Sequence, residues 1–410
     1  MERRSYTIVT ASYWGFTLTD GALRMLVLLH FHSLGYSSVQ LAFLFLLYEA
    51  CGVVTNLLGG WIGSRFGLKL TLFSGLATQV VALLALSLVQ PGWVEALSVA
   101  YVMAAQALSG VAKDLTKMSS KSAVKLLVPA LGSREAENRA LFKWVAVLTG
   151  SKNALKGVGF LLGGVLLGWL GFQWTLWIMA GALFVVLLSG MLTMRQDLGR
   201  SKAKVKFKQL FSKSREVNYL SFARFFLFGS RDIWFVVGLP VFLKETLNWS
   251  FAAVGAFMAA WIIGYGLVQA GAPTILRQGG AHSALRWAGI LTAVTASLAL
   301  AVEVEFHLGI VVLAGLAVFG AVFAVNSAVH SYLILAYTDS DDVALNVGFY
   351  YMANAGGRLI GTLLSGVVYV SHGLPGCLWV STGFVAVATG LTALLPRQAK
   401  SEALLAAAEK

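Results

Sequence analysis

The chain has 410 residues, 58% of them hydrophobic and 12% charged, with mean hydropathy +0.77 and a formal net charge of +13. A soluble domain carries about 25% charged residues, so a water-soluble globule of this length is excluded and lipid is the solvent that fits. Cys51 and Cys377 lie far apart in apolar segments and the histidines are scattered, which excludes a disulfide framework and any familiar metal-ligand spacing.

A membrane-spanning helix needs ~20 mainly apolar residues. In chain order, such stretches are predicted at 6–31, 39–62, 70–90, 96–115, 145–172, 174–194, 218–243, 251–272, 287–302, 308–337, 343–371 and 376–395. Asp20 and Arg24 interrupt the first, which reads as a retained helix rather than a cleaved signal peptide. Lys and Ser residues between 113 and 156 blur the end of the fourth and the start of the fifth, which begins near 145 or near 155. The 43 glycines suit helices that approach closely in a bundle. The fold expected is an all-α membrane protein with twelve transmembrane helices.

The basic residues test this count. With the N-terminus in the cytoplasm, Arg3, Arg4, Arg65, Lys69, the 113–143 cluster, the bases from Arg195 to Arg215, Arg277 and Arg286 all fall inside. The outer loops hold Lys244 with Glu95, Glu245, Glu303 and Glu305. By the positive-inside rule this asymmetry expects a multi-pass inner (plasma) membrane protein with both termini cytoplasmic. Topology then explains most of the positive charge, and nucleic acid is not needed as a partner.

The stretch 195–217 is polar and basic and divides the chain into an N-terminal half (1–194) and a C-terminal half (218–410), six helices each. Its lysines suit a solvated cytoplasmic linker near anionic head groups of the lipid bilayer. The halves look repeated. Phe16-Thr-Leu-Thr-Asp20 resembles Phe228-Gly-Ser-Arg-Asp232, and Gly59-Gly60 to Arg65 resembles Gly271 to Arg277, both at an offset of 212 (232 − 20 and 277 − 65). Pseudo-symmetric halves that rock about a midplane site are a transporter architecture. Gly60-Trp-Ile-Gly-Ser-Arg-Phe-Gly-Leu-Lys69 also resembles the major facilitator signature Gly-x-x-x-Asp-Arg-x-Gly-x-Lys/Arg. Gly60, Arg65, Gly67 and Lys69 match, but Ser64 stands where the family has Asp, which removes one partner of the usual inner charge relay.

Charges inside the spans carry the functional signal, because each costs about 2.5–3.5 kcal/mol at the bilayer centre. The bases Arg24, Lys152, Lys156, Arg224, Arg231 and Arg358 outnumber the acids Asp20, Glu49 and Asp232. A cavity for cationic drugs would want excess acid. Excess Arg and Lys favour a small anion of more than one charge, and the planar guanidinium suits oxyanions.

Each residue has a plainer reading beside this one. Asp20 and Arg24, four apart on one helix face, are an internal salt bridge, or a substrate clamp (Arg24) with a positioning or proton-carrying acid. Arg224 and Arg231 share a face, with Asp232 able to neutralise one of them. Lys113, Lys117, Lys121 and Lys125 form a basic stripe, either resting on anionic lipid or making the inner mouth of an anion funnel at Lys113 and Lys117. Lys152 and Lys156 are a site wall or a late helix start. Arg358 pairs with Asp232 or Glu49, or meets substrate. Asn326, His330 and Asn354 are core polar groups or ligands. Asp20, Glu49 and Asp232 are candidate proton carriers. No Walker motif, nucleophile elbow or HExxH is present, so neither ATP coupling, an enzyme activity, a cofactor nor a metal is expected.

Four longer strings resemble a particular family. Tyr13-Trp-Gly-Phe-Thr-Leu-Thr-Asp-Gly-Ala-Leu-Arg-Met-Leu-Val-Leu-Leu-His-Phe-His32, Ala104-Ala-Gln-Ala-Leu-Ser-Gly-Val-Ala-Lys-Asp114, Leu148-Thr-Gly-Ser-Lys-Asn-Ala-Leu-Lys-Gly157 and Phe228-Gly-Ser-Arg-Asp-Ile-Trp-Phe-Val236 resemble the ArsJ-type organoarsenical efflux permeases of the major facilitator superfamily. The resemblance implies export of 1-arseno-3-phosphoglycerate, made from arsenate in the cytoplasm by a glyceraldehyde-3-phosphate dehydrogenase partner, and hence arsenate resistance. It carries over no binding residues. An organophosphate/phosphate exchanger would need the same arginines, and a transporter-derived membrane sensor is a further alternative.

Overall fold

The computed structural model describes residues 2–66, 68–90, 92–127, 134–194, 214–275, 280–305, 307–337 and 343–396, and every regular element among them is helical. The helices are α1 (Glu2–Ser33), α2 (Ser38–Phe66), α3 (Leu68–Leu86), α4 (Glu95–Leu127), α5 (Arg134–Thr193), α6 (Arg215–Phe235), α7 (Gly238–Glu245), α8 (Phe251–Ile275), α9 (Ala281–Glu303), α10 (Leu308–Ala336) and α11 (Val343–Ala393). Most of the linker 195–217 and the C-terminal tail lie outside the described residues.

Two of these helices are double passes. Gly171 (φ 75°) interrupts α5 and Gly373 (φ 59°) interrupts α11. Only glycine takes such φ values at little cost, so each chain turns back without a loop. Pro375, two residues after Gly373, fits the first turn of the returning helix. Conversely, α6 and α7 make a single pass broken at Val236–Val237. Counted so, the described helices make twelve passes. Among the described residues nine segments, with α6–α7 as one and α5 and α11 each of double length, are apolar enough to cross a bilayer by composition alone; α1, diluted by Asp20 and Arg24, is not among them. Trp169, Trp174, Trp177, Val185 and Leu192 on α5 are exposed, as a lipid-facing surface requires.

The structure departs from the expected spans at three places. The fourth runs on to Leu127, so the whole basic stripe belongs to one helix. The fifth starts at Arg134, earlier than either expected start. The seventh is discontinuous, because the freed N–H groups of Val237 and Gly238 both donate to the buried hydroxyl of Ser365 at 3.1 Å. A side-chain acceptor that replaces a backbone carbonyl lets a helix break in lipid without an orphaned donor.

The chain forms two compact units. The first holds Met1–Gly35, Leu58–Val205 and Trp249–Ile263. Within it α1 crosses α5 where glycines leave room for backbone. A Cβ on Gly21 would sit 2.7 Å from the Lys156 carbonyl oxygen, and one on Gly163 would sit 2.3 Å from that of Ala22. The first half of α8 packs on α5 in the same way, with Gly164 against the Phe251 carbonyl and Gly255 against that of Phe160. Buried Ser109 of α4 donates to Gln79 of α3 at 2.7 Å.

The second unit holds Tyr36–Leu57, Lys206–Asn248 and Gly264–Lys410. Here α6 lies on α11, with Gly357 against the Phe225 carbonyl and Gly361 against that of Gly229. The N-terminal part of α2 packs on α11, with Gly366 against the Ser38 carbonyl. The two units therefore use corresponding contacts. First and fifth passes pack in one unit as seventh and eleventh do in the other, and the fifth takes the eighth as the eleventh takes the second.

Candidate functional site

The second unit carries the best-defined constellation. α6 presents Arg224, Phe228, Arg231 and Asp232 within slightly over two turns, so Arg224, Phe228 and Arg231 share a face. The close α6–α11 approach at Gly357 and Gly361 brings Arg358 against Asp232. Arg358 Nε donates to Asp232 Oδ2 at 3.0 Å and its Nη2 donates to Glu49 Oε1, on α2, at 2.6 Å. Arg231 Nε donates to the other oxygen, Asp232 Oδ1, at 2.7 Å. Asp232 is thus held from both sides, and the four groups form a chain Arg231–Asp232–Arg358–Glu49.

The exposure of this chain is uneven. The Asp232 and Glu49 side chains are 1% exposed, against 15% for Arg231 and 17% for Arg358. The arginine side chains are thus the more exposed members of the chain, although the four charges cancel. Such burial is sustainable only with mutual hydrogen bonding, because an ion left alone costs several kcal/mol. Arg231 also lies near aromatic faces, 5.1 Å from the Phe228 ring centroid and 5.6 Å from that of Phe323.

Arg224 is buried differently. It meets no carboxylate within ion-pair distance among the described residues. Its Nε donates to Asn354 Oδ1 and its Nη1 to the Ser327 carbonyl, each at 3.2 Å. Its charge rests on the rings of Phe228, 3.9 Å to the centroid, and Tyr350, 5.1 Å. Ring faces stabilise a desolvated guanidinium by about 2 kcal/mol. The Ser327 hydroxyl in turn accepts from Tyr265 and Gln269. Sequence reasoning missed Phe228, Ser327, Tyr265, Gln269 and Tyr350 as a set, since the only linear signal was the position of Phe228 between two arginines. Asn354 belongs to this shell. Asn326 instead donates to the carbonyls of Trp287 and Val322, as a core amide does.

The other expected residues lie in the first unit. Asp20 and Arg24 are buried on α1, on either side of the Gly21 crossing with α5. Lys152 and Lys156 are half-buried on α5 at that same crossing, with Lys156 Nζ 5.7 Å from the Phe160 ring centroid. Lys113 is half-buried, and Lys117 pairs with buried Asp114 at 3.7 Å. The side chains of Arg65, Lys121 and Lys125, with Gly67 of the signature, lie outside the described residues. No group of three or more His, Cys, Asp or Glu side chains is placed to hold a metal among the described residues.

Twelve helical passes with ionised side chains buried at mid-helix define a polytopic membrane transporter. The family model of the Major Facilitator Superfamily matches residues 7–229 and 220–410, and the chain belongs to that superfamily. Among solved structures, it is similar to a bacterial homologue of the iron transporter ferroportin in an inward-facing state, at 17% identity and TM-score 0.69, covering 94% of this chain and 98% of that one. It is also similar to a D-xylose–proton symporter, at 14% identity and TM-score 0.72, covering 96% and 98%. These likenesses define the fold. No curated protein sequence matches the chain.

Proposed function

We propose that the protein is a secondary active exporter of a small multivalent oxyanion, and that its cargo is the organoarsenical 1-arseno-3-phosphoglycerate. The observation that carries the reading is the Arg231–Asp232–Arg358–Glu49 chain, in which the arginine side chains are more exposed than the carboxylates. Phosphate and arsenate esters accept paired, charge-assisted hydrogen bonds from guanidinium groups, which a cationic cargo does not. The specific cargo rests on the resemblance to ArsJ-type permeases, and with it a glyceraldehyde-3-phosphate dehydrogenase as supplier and arsenate resistance as the outcome.

In this reading Arg231, Arg358 and Arg224 contact substrate from the C-terminal half, 218–410. Arg24, Lys152 and Lys156 are the candidate substrate contacts of the N-terminal half, 1–194, with Lys113 and Lys117 at its inner mouth. Both termini and the linker 195–217 are cytoplasmic, in the plasma membrane. Export runs as antiport against protons, carried by Asp20, Glu49 or Asp232.

Everted membrane vesicles test the reading. They are offered arsenate with and without the dehydrogenase and its substrate. Arsenic should accumulate only when the coupled system is complete, and a protonophore should abolish it. Uptake of free arsenate, or none in either case, overturns the organoarsenical cargo. Stimulation by phosphate loaded on the opposite side would instead identify an organophosphate/phosphate exchanger.

A further inference from the structure

We infer that Arg224 and Arg231 are the two seats of a clamp for a ligand bearing two separated oxyanion groups, with the ring of Phe228 as the spacer between them. The inference deepens the anion reading above and rests on it. Both guanidinium groups lie near the one Phe228 ring, their Cζ atoms 3.9 Å and 5.1 Å from its centroid. These two distances bound the separation of the Cζ atoms at 9.0 Å. Arg224 and Arg231 are two turns apart on one helix, about 10 Å along its axis, so the ring lies within the interval between them. A three-carbon chain with an acidic group at each end reaches both.

The two seats differ in what a ligand must displace. Arg224 has two of its five donors engaged, by the Asn354 amide oxygen and the Ser327 carbonyl. Both of those are neutral acceptors, so its positive charge is not cancelled by an ion pair. The buried ring of Tyr350 lies against the same guanidinium, its centroid 5.1 Å away. Among the described residues no carboxylate pairs with Arg224, so an oxyanion there supplies a counter-charge.

Arg231 must leave Asp232 Oδ1 to reach a ligand, and the network permits this. Asp232 Oδ2 stays bound to Arg358, so the carboxylate keeps one guanidinium. Arg358 is the wrong group to release, because it holds both Asp232 and Glu49 and its departure strands two buried acids. The first oxyanion therefore docks at Arg224, and the second draws Arg231 off Asp232. Affinity for a doubly anionic ligand comes from occupying both seats, with the second event intramolecular.

The test is calorimetric titration of the purified full-length protein with two stable probes. 3-Phosphoglycerate carries a carboxylate and a phosphate, and glycerol 3-phosphate carries the phosphate alone. We expect 3-phosphoglycerate to bind roughly tenfold or more tightly. Arg231→Gln should weaken 3-phosphoglycerate far more than glycerol 3-phosphate and so erase that preference. Arg224→Gln should weaken both probes, and Asp232→Asn, which loosens the hold on Arg231, should strengthen 3-phosphoglycerate alone. Equal affinity of the two probes for the native protein overturns the clamp, as does an Arg231→Gln protein that keeps the preference. Where Arg224→Gln does not accumulate, Phe228→Leu decides. It keeps an apolar side chain but removes the ring that spaces the guanidinium groups, so an unchanged preference there also overturns the inference. Failure of arsenic uptake in vesicles with this probe pattern intact would remove the organoarsenical cargo and leave the clamp standing.

Discussion

Arg358 joins Glu49 of α2 to Asp232 of α6, through separate nitrogens at 2.6 Å and 3.0 Å. One side chain thus compensates two carboxylates that are each 1% exposed. Removing a single partner from a buried ion pair costs about 3–5 kcal/mol, because the remaining charge is left without compensation. Arg358→Ala is therefore expected to lower the thermal midpoint of the purified protein more than Arg231→Ala, which leaves Asp232 its second guanidinium. Adding Glu49→Gln to Arg358→Ala should recover part of the loss, since it removes one stranded charge. Equal midpoints for the two single variants would show that Arg358 does not hold the network together.

The break between α6 and α7 has its own dependence on one hydroxyl. Ser365 accepts from the N–H groups of both Val237 and Gly238. A buried donor without an acceptor costs about 1–3 kcal/mol. Ser365→Ala is expected to speed amide hydrogen exchange in Gly238–Glu245 while leaving α9 unchanged. Unchanged exchange in α7 would mean that the break is held by something else.

Much of the architecture was legible because lipid allows few solutions. Apolar length gave the passes, and the turns fell where glycine and proline cluster, near Gly171 and between Gly373 and Pro375. The 212-residue offset linked Asp20 to Asp232 before any coordinates. The break at Val236–Val237 was not legible, since apolar residues run through it and its cause, Ser365, is 128 residues away. The partners of Arg358 could be named only as alternatives. Glu49 is 309 residues distant, and no linear pattern says that both acids are held at once. Phe228 stands out in the sequence only for its place in the repeat; that two cations share its ring follows from side-chain direction rather than spacing.

Glycine positions separate into two classes that substitution should distinguish. A Cβ on Gly357 would lie 2.0 Å from the Phe225 carbonyl oxygen, and one on Gly163 would lie 2.3 Å from that of Ala22. Neither obstacle is a flexible side chain, so α6 must part from α11, or α1 from α5. At Gly289 of α9 a Cβ meets nothing within 4 Å. There alanine should stabilise the helix by roughly 0.5–1 kcal/mol. Gly357→Ala and Gly163→Ala are expected to lower the thermal midpoint and Gly289→Ala to raise it or leave it unchanged. The same ranking should appear in transport, since Gly357 sets the approach that brings Arg358 to Asp232.

The proposed coupling to protons, if it holds, separates binding from transport. If Glu49 carries the proton, its protonation removes one charge from the Arg358 bridge and frees that guanidinium edge, and its deprotonation restores the bridge. Glu49→Gln fixes the neutral state while keeping the side chain's volume and one oxygen acceptor for Arg358 Nη2. Such a protein should bind 3-phosphoglycerate as well as the native one does, yet fail to accumulate arsenic in everted vesicles against a gradient. Counterflow, which exchanges labelled for unlabelled cargo at no net proton cost, should survive. Asp232→Asn is expected to behave differently, because Asp232 answers to two arginines and its neutralisation alters the seat at Arg231 as well as the bridge. Uphill export retained in Glu49→Gln, with its usual sensitivity to a protonophore, would move the proton to Asp232 or Asp20 and leave Glu49 as a structural counter-ion to Arg358.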